Sequence, residues 1–229
     1  MAGSTEPPRP DHAAREGLKV WHGDRALFDQ MSPFDEPQWS LDRKFFLREL
    51  LKLVDHLEGD TAEAGVYEGA SSLLICEARG GRSTHWAFDS FEGLSAPSPQ
   101  DGSAWSAGDL ASSEASAREL LEPLGAVVLK GWIPDVFSRA RIERLVFAHV
   151  DVDIHEPTLA SFEYFYDLVV PGGVIVCDDY GFALCPGAKE AVDSFMAERP
   201  EPVIHSPTGQ GIVIKSTGLA GAARRTPRL

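Results

Sequence analysis

Four aspartates carry the strongest chemical signal in the chain. Asp151 and Asp153 end the apolar run "RLVFAHVDVD", and Asp178 and Asp179 end a second one, "GGVIVCDD". Carboxylates lose a large hydration energy on burial and are rarely found inside without a partner. In an extended run Asp151 and Asp153, two positions apart, face the same side. If the two runs are neighbouring strands, both pairs meet, and that much unanswered charge raises its own pKa values. A divalent cation answers it. All-oxygen ligands select a hard ion, Mg²⁺ first, with Mn²⁺ or Ca²⁺ as alternatives; His149 and His155 close by leave Zn²⁺ and Fe²⁺ open. Such an ion lowers the pKa of a coordinated hydroxyl, while an aspartate off the ion takes the proton. His149 alternates with Val150 and is read as a core or supporting residue. His155 follows the run and is read as facing substrate.

A second motif, "EAGVYEGASS", joins an apolar run to a helical one and carries Gly65 and Gly69. A glycine turn lets backbone approach a ligand, and the helix that follows offers free N–H groups and a positive dipole end. The dinucleotide fingerprint has three glycines as GxGxxG. Here the spacing is GxxxG, preceded by Glu63, which can face an ammonium group. The turn therefore suits an amino-acid end better than a pyrophosphate. Asp89 ends "THWAFD", where an acid is placed to accept from ribose hydroxyls. Ribose acid plus amino-acid turn implies S-adenosylmethionine.

Both motifs need a frame that brings strand ends together. "TAEAGVY", "THWAFD", "AVVLKG", "RLVFAHVDVD" and "GGVIVCDD" read as strands. "ASSLLICEARG", ended by Gly80 and Gly81, "SSEASARELLEPLG", "EPTLASFEYFYDLV" and "GAKEAVDSFMAERP" read as the helices between and after them. The last two strands are continuously apolar, the pattern of a parallel sheet covered on both faces. "EPVIHS" and "QGIVIK", joined by "PTG", read as an antiparallel hairpin at the sheet edge. The fold expected is α/β: a doubly wound, mostly parallel, Rossmann-like sheet of about seven strands, with ligands beyond the strands' carboxyl ends. The core spans 59–216. Before it, 18–58 is a helical or lid segment. Within it "SLDRKFFLRELLKLVDHL" is a helix with Ser40 as N-cap, and the aromatic stretch Trp21 to Trp39 covers the site. Residues 1–17 read as a disordered arm and 217–229 as a loose tail. Ser95 to Gly108 is a loop of uncommon length.

The composition excludes several classes. With 229 residues, 43% hydrophobic and 24% charged, the chain is ordinary globular material. Its formal net charge of −14 makes it a poor ligand for nucleic acid or an anionic membrane surface. Cys76, Cys177 and Cys185 form no CxxC pair and read as core packing. No run is long and apolar enough to span a bilayer, and no signal peptide is recognisable, so the expected location is the cytoplasm.

"GVYEGASS", "FDSFEGL", "KGWIPD", "HVDVDIHEPT", "VPGGVIVCDDYG" and "CPGAKEAVDSF", in that order, resemble the motifs of the macrocin O-methyltransferase family over roughly Ala62 to Lys215. Members are class I, S-adenosylmethionine-dependent enzymes that methylate hydroxyls of sugar-bearing natural products such as macrolides. The resemblance implies Asp151, Asp178 and Asp179 as metal ligands and Asp153 as general base, with His155 set beside it as a catalytic candidate. It implies Glu63, Gly65, Tyr67, Ser71, Ser72, Asp89, Ser90, Gly131 and Trp132 as cofactor-binding residues. Phe91 and Glu92 extend that loop, and Lys130 lies near the adenine. It implies a homodimer and a small hydroxylated acceptor as partner. His155 stands where relatives commonly have Tyr, and Pro157 where they often have Ser, both on the acceptor side. An NAD(P)-dependent oxidoreductase, a binding protein that kept the fold, and a metal-dependent hydrolase are the alternatives. The first lacks its glycine fingerprint, the second would have lost an aspartate, and the third leaves Asp89 unexplained.

Overall fold

The computed structural model describes residues 23–34 and 37–216; the arm at 1–17, Trp21 and the tail at 217–229 lie outside them. The strands are β1 (Asp60–Ala64), β2 (His85–Asp89), β3 (Ala126–Lys130), β4 (Leu145–Val150), β5 (Val169–Cys177), β6 (Ile204–His205) and β7 (Gly211–Ile214). They form one sheet in the order β3-β2-β1-β4-β5-β7-β6. The first five are parallel, and β7 runs antiparallel to both β5 and β6. Strand order reverses between β1 and β4, the point where doubly wound sheets open a crevice.

The described helices are α1 (Arg25–Met31), α2 (Pro37–Leu53), α3 (Ala70–Arg79), α4 (Glu114–Leu121), α5 (His155–Leu168) and α6 (Pro186–Met196). Leu47 and Leu51 of α2 and Leu74 and Ile75 of α3 pack on one face of the sheet. Phe162 and Phe165 of α5 and Phe195 of α6 pack on the other. All six residues of β4 are buried, which is why its sequence shows no alternation. No described helix is long and apolar enough to cross a membrane.

Local chemistry sets the helix ends. Gly80, in the left-handed conformation, ends α3, and its N–H returns to Cys76 O. Asp24 caps α1 through Leu27 N and pairs with Arg48, fastening α1 to α2. The expectation for Ser40 is corrected. The helix begins at Pro37, so Ser40 lies inside it. Proline is well placed in a first turn, where its fixed φ suits the helix and its missing N–H costs nothing.

The long loop is closed rather than loose. Gly108 N donates to Leu94 O at 2.9 Å and Leu94 N to Asp109 O at 2.8 Å across its base. Inside it Asp101 accepts from Ser98 N at 2.7 Å and from His155 N at 2.6 Å. Asp101 is buried, and it ties the loop to the start of α5.

Strands β1 and β4 touch most closely just past their ends. Asp151 N donates to Ala64 O at 2.9 Å, and Gly65 lies against the Asp151 carbonyl, where an added Cβ would sit 1.7 Å from the oxygen. Gly65 also has φ +86°. Gly65→Ala should therefore lower the free energy of unfolding by roughly 2–4 kcal/mol, from left-handed strain plus a backbone clash. Urea denaturation checks this; a loss under about 0.5 kcal/mol would refute the close approach.

Candidate active site

The carboxyl ends of β1, β2, β4 and β5 open into one large cavity. Glu63, Gly65, Asp89, Gly131, Asp151 and Asp179 are among its walls. On the nucleoside side, Asp89 Oδ2 accepts from Val66 N at 2.7 Å and Tyr67 N at 2.9 Å, and Oδ1 from Phe91 N at 2.6 Å. Tyr67 and Phe91 have φ of 51° and 55°, and the aspartate holds both turns in that conformation. A carboxylate offers about four lone-pair directions. Asp89 thus spends most of its capacity shaping the loop, which the sequence reading did not foresee. Ser90 closes the next turn by donating to Gly93 O at 2.8 Å. Trp132 is 42% exposed and borders the same cavity. Lys130 pairs with Glu92 at 3.2 Å outside it.

Glu63 is buried and belongs to a polar chain across the sheet. Its Oε2 accepts from Ser72, which is 2.9 Å from His85 Nε2; His85 Nδ1 is 2.9 Å from Thr61 Oγ1. Glu63 Oε1 lies 2.7 Å from His149 Nδ1, and His149 Nε2 lies 3.2 Å from Asp178 Oδ1. Gln210 Nε2 completes the chain by donating to that same oxygen at 2.7 Å. Both ring nitrogens of His149 face carboxylates, so both carry hydrogen. Burial works against that charge, but the bonds to Asp178 and Glu63 outweigh it and push the pKa up to about 10. His85 Nε2 has a single carboxylate near it, Glu63 at 3.9 Å, and burial outweighs that charge and drives it down to about 4.

The aspartates divide into two groups. Asp151 and Asp178 lie with His149; Asp153 and Asp179 lie with Cys185. The expectation that Asp151 and Asp153 share one side of an extended run is corrected. Strand β4 ends at Val150 and Asp153 has φ 61°, so the chain has turned between them. Asp153 N donates to Asp179 Oδ2 at 3.1 Å, and the Cys185 thiol lies 3.7 Å from Asp153 Oδ1. Burial, then the Asp178 charge, lifts Asp151 to about 8. Burial and the charges of Asp153, Asp151 and Asp178 raise Asp179 well above the carboxylate range. Burial also opposes a charged Asp178, but Arg43 and His149 overcome it and hold the group well below that range.

Arg43 of α2 pairs with Asp178 and reaches Asp179 at 4.0 Å, its guanidinium 4.8 Å from the Phe182 ring. Its neighbour Lys44 donates to Ser71 Oγ at 2.6 Å. Neither cation was singled out in the sequence, where "DRK" reads as the polar face of a helix. Only packing of α2 over the strand ends shows that both enter the cavity. Of the stretch expected to cover the site, Phe34 lines the cavity; the side chain of Trp39 lies outside the described residues. Three predicted residues stand back from the cavity wall. Ser72 is turned inward to Glu63, Asp178 lies behind Arg43, and the ring of His155 is not part of the lining.

The oxygen donors are of the kind a hard divalent ion takes, but they come together as two sets, Asp151 and Asp178 with His149 and Asp153 and Asp179 with Cys185, and not as Asp151, Asp178 and Asp179 in one. The Arg43 guanidinium stands against Asp178 and Asp179, one from each set.

This sheet order, with a nucleoside-type turn at β1 and acids beyond β4 and β5, is the class I methyltransferase fold. The chain belongs to the macrocin-O-methyltransferase (TylF) family, whose model matches residues 47–208. It is 31% identical over 164 residues to a demethyldecarbamoylnovobiocin O-methyltransferase of Streptomyces niveus, covering 63% of this chain and 60% of that one. It is 30% identical over 156 residues to the 8-demethyl-8-(2,3-dimethoxy-alpha-L-rhamnosyl)-tetracenomycin-C 4'-O-methyltransferase of Streptomyces olivaceus, covering 59% and 58%. The matched region thus spans about three fifths of the length of these relatives. The solved structure of the O-methyltransferase NovP superposes with a TM-score of 0.63 at 28% identity, over 76% of this chain and 79% of that one.

The raised groups fix a pH dependence in chelator-treated protein. Asp151 holds a proton in the folded state between about pH 4 and 8, and His149 between about 6.5 and 10. The folded state binds more protons than the unfolded one there, so stability falls as pH rises through those windows. The melting temperature should decline steadily from pH 6 to pH 9, and more shallowly in His149→Gln. A flat profile would show that the buried network does not titrate this way.

Proposed function

We propose that the chain transfers a methyl group from S-adenosylmethionine to a hydroxyl of a natural product, with a Mg²⁺-type cation held by Asp151, Asp178 and Asp179. The observation that carries this reading is that Asp151, Asp153 and Asp179 line one cavity together with the glycine turn after β1, with Asp178 behind them, in a chain of this family. The NAD(P) alternative finds no support in the β1 turn, which lacks the glycines a pyrophosphate needs. Bound at the carboxylates, the cation would lower the pKa of the acceptor hydroxyl, and the sulfonium would supply the methyl group with its leaving group already in place.

The chain's own residues do the positioning. Asp153 is held out of the strand by its left-handed backbone and by its N–H bond to Asp179. Its carboxylate is the base that accepts the hydroxyl proton. His149 and Gln210 fix Asp178, so that ligand cannot rotate away. Arg43 must withdraw from Asp178 for a cation to reach its Oδ2. Trp105, Phe182 and Leu184 line the acceptor side of the cavity with apolar surface. They suit a hydroxyl carried on a large apolar body, and a sugar-bearing acceptor agrees with the rhamnosyl group in the name of the Streptomyces olivaceus relative. His155 is retained on that side only as a contact of the loop anchored by Asp101. A homodimer, implied by the family resemblance, belongs to the same proposal.

Treatment with EDTA should abolish turnover of a glycosylated acceptor, and Mg²⁺ should restore it; full activity in metal-free buffer would defeat the cation assignment. Asp153→Asn should lower kcat by about 10²–10⁴-fold while S-adenosylhomocysteine still binds by calorimetry. An unchanged kcat would remove Asp153 from the role of base.

A further inference from the structure

Cys185 lines the cavity together with Asp153 and Trp105, and it is 3% exposed. Its backbone is fixed on both sides. The Cys185 N–H donates to Phe182 O at 3.0 Å, and the Cys185 carbonyl accepts from Ala188 N at 3.2 Å. The residue is the N-cap of α6, a position where Ser, Thr, Asp or Asn commonly turns an oxygen back onto the first N–H groups. The thiol makes no such cap. It is directed instead to Asp153, with its sulfur 3.7 Å from Oδ1. Burial, then the charges of Asp179 and Asp153, push the thiol pKa up. The sulfur therefore keeps its hydrogen, and against a carboxylate it is the donor.

A second group bears on the same sulfur. The indole N–H of Trp105 is buried and has no hydrogen-bond partner among the described residues. It works on the Cys185 thiol in the direction opposite to burial. Buried donors are seldom left without an acceptor, and a sulfur is a weak one. Trp105 is carried by the loop that Asp101 fastens. Asp101 Oδ1 accepts from His155 N, and an added Cβ on Gly187, the second residue of α6, would lie 1.9 Å from that oxygen. Loop, α5 and α6 are thus packed at one point, and Cys185 stands between the loop's tryptophan and Asp153.

We propose that Cys185 is a positioning residue: its thiol donates to Asp153 Oδ1 and turns that carboxylate toward the acceptor hydroxyl. The inference rests on the reading of Asp153 as the base. Cys185 itself neither gains nor loses a proton; the hydroxyl proton goes to Asp153 and the methyl group to the oxygen it leaves. A thiol suits this place. An ionised donor would hold the carboxylate more firmly, but its charge would compete with the proton that Asp153 has to accept. An S–H bond is weak and neutral, so it fixes the direction of the carboxylate and leaves its negative charge available.

The experiment has a spectroscopic and a kinetic arm, both on the full chain. The infrared difference between wild type and Cys185→Ala isolates the S–H stretch of Cys185 from those of Cys76 and Cys177. That band should lie low, as for a thiol bonded to a carboxylate. It should move up in Asp153→Asn, which tolerates the left-handed backbone but offers no charged acceptor. The kinetic acceptor is methyl α-L-rhamnopyranoside, chosen for the rhamnosyl group in the name of the Streptomyces olivaceus relative. Cys185→Ala and the volume-filling Cys185→Val should each lower kcat about 3- to 10-fold. KM and the affinity for S-adenosylhomocysteine should not change, which also certifies the fold. In the Asp153→Asn background neither substitution should lower kcat further. A band that Asp153→Asn leaves in place would overturn the bond. An equal fractional loss of kcat in both backgrounds would overturn the positioning role, as would wild-type protein that binds S-adenosylhomocysteine yet leaves this glycoside unmethylated. Wild-type protein that binds no S-adenosylhomocysteine would overturn the cofactor reading, whereas the S–H band judges the bond without cofactor.

Discussion

Negative charge gathered beyond β4 and β5 is held there by a proton and a guanidinium. His149 sits fully buried between Glu63 and Asp178, and both of its ring nitrogens face carboxylates. Arg43 approaches Asp178 from the opposite side. Without these two positive groups, Asp178 would meet the same penalty that raises Asp151 and Asp179. The rest of the site is built around this balance. It places one ionised carboxylate beside two that resist ionising.

The same network joins the two halves of the cavity. Glu63 belongs to β1, whose C-terminal turn is held by Asp89, and Asp178 follows β5. A parallel sheet makes this possible. His149 lies in register with Glu63 on β4, and the ladder continues past the strand ends through Asp151 N and Asp178 N. Cofactor turn and acidic cluster therefore share one rigid foundation rather than two mobile loops.

Elements outside the sheet finish the cavity. Helix α2 supplies Arg43 and Lys44, and the closed loop carrying Asp101 brings Trp105 to the wall. Asp101 is a buried acid whose partners are backbone and hydroxyl groups, so it orders the loop without adding another unpaired charge. His155 is tied to Asp101 through its backbone N–H, a bond that does not depend on its side chain.

The sequence by itself determined the sheet, the order of its helices and the strand ends at which the cavity opens. Continuous apolar runs in β4 and β5 require cover on both faces, and the turn glycines and terminal acids mark the strand ends where ligands bind. It also determined the family, because six short motifs in fixed order leave little freedom. Tertiary structure decided how the acids are shared. A left-handed residue at Asp153 parts it from Asp151, and no residue pattern announces a positive φ at an aspartate. Packing likewise decided that Arg43 and Lys44 of α2 face inward and that Asp89 spends its oxygens on backbone N–H groups. Those outcomes depend on which long-range surface meets which strand end, and spacing along the chain does not encode that.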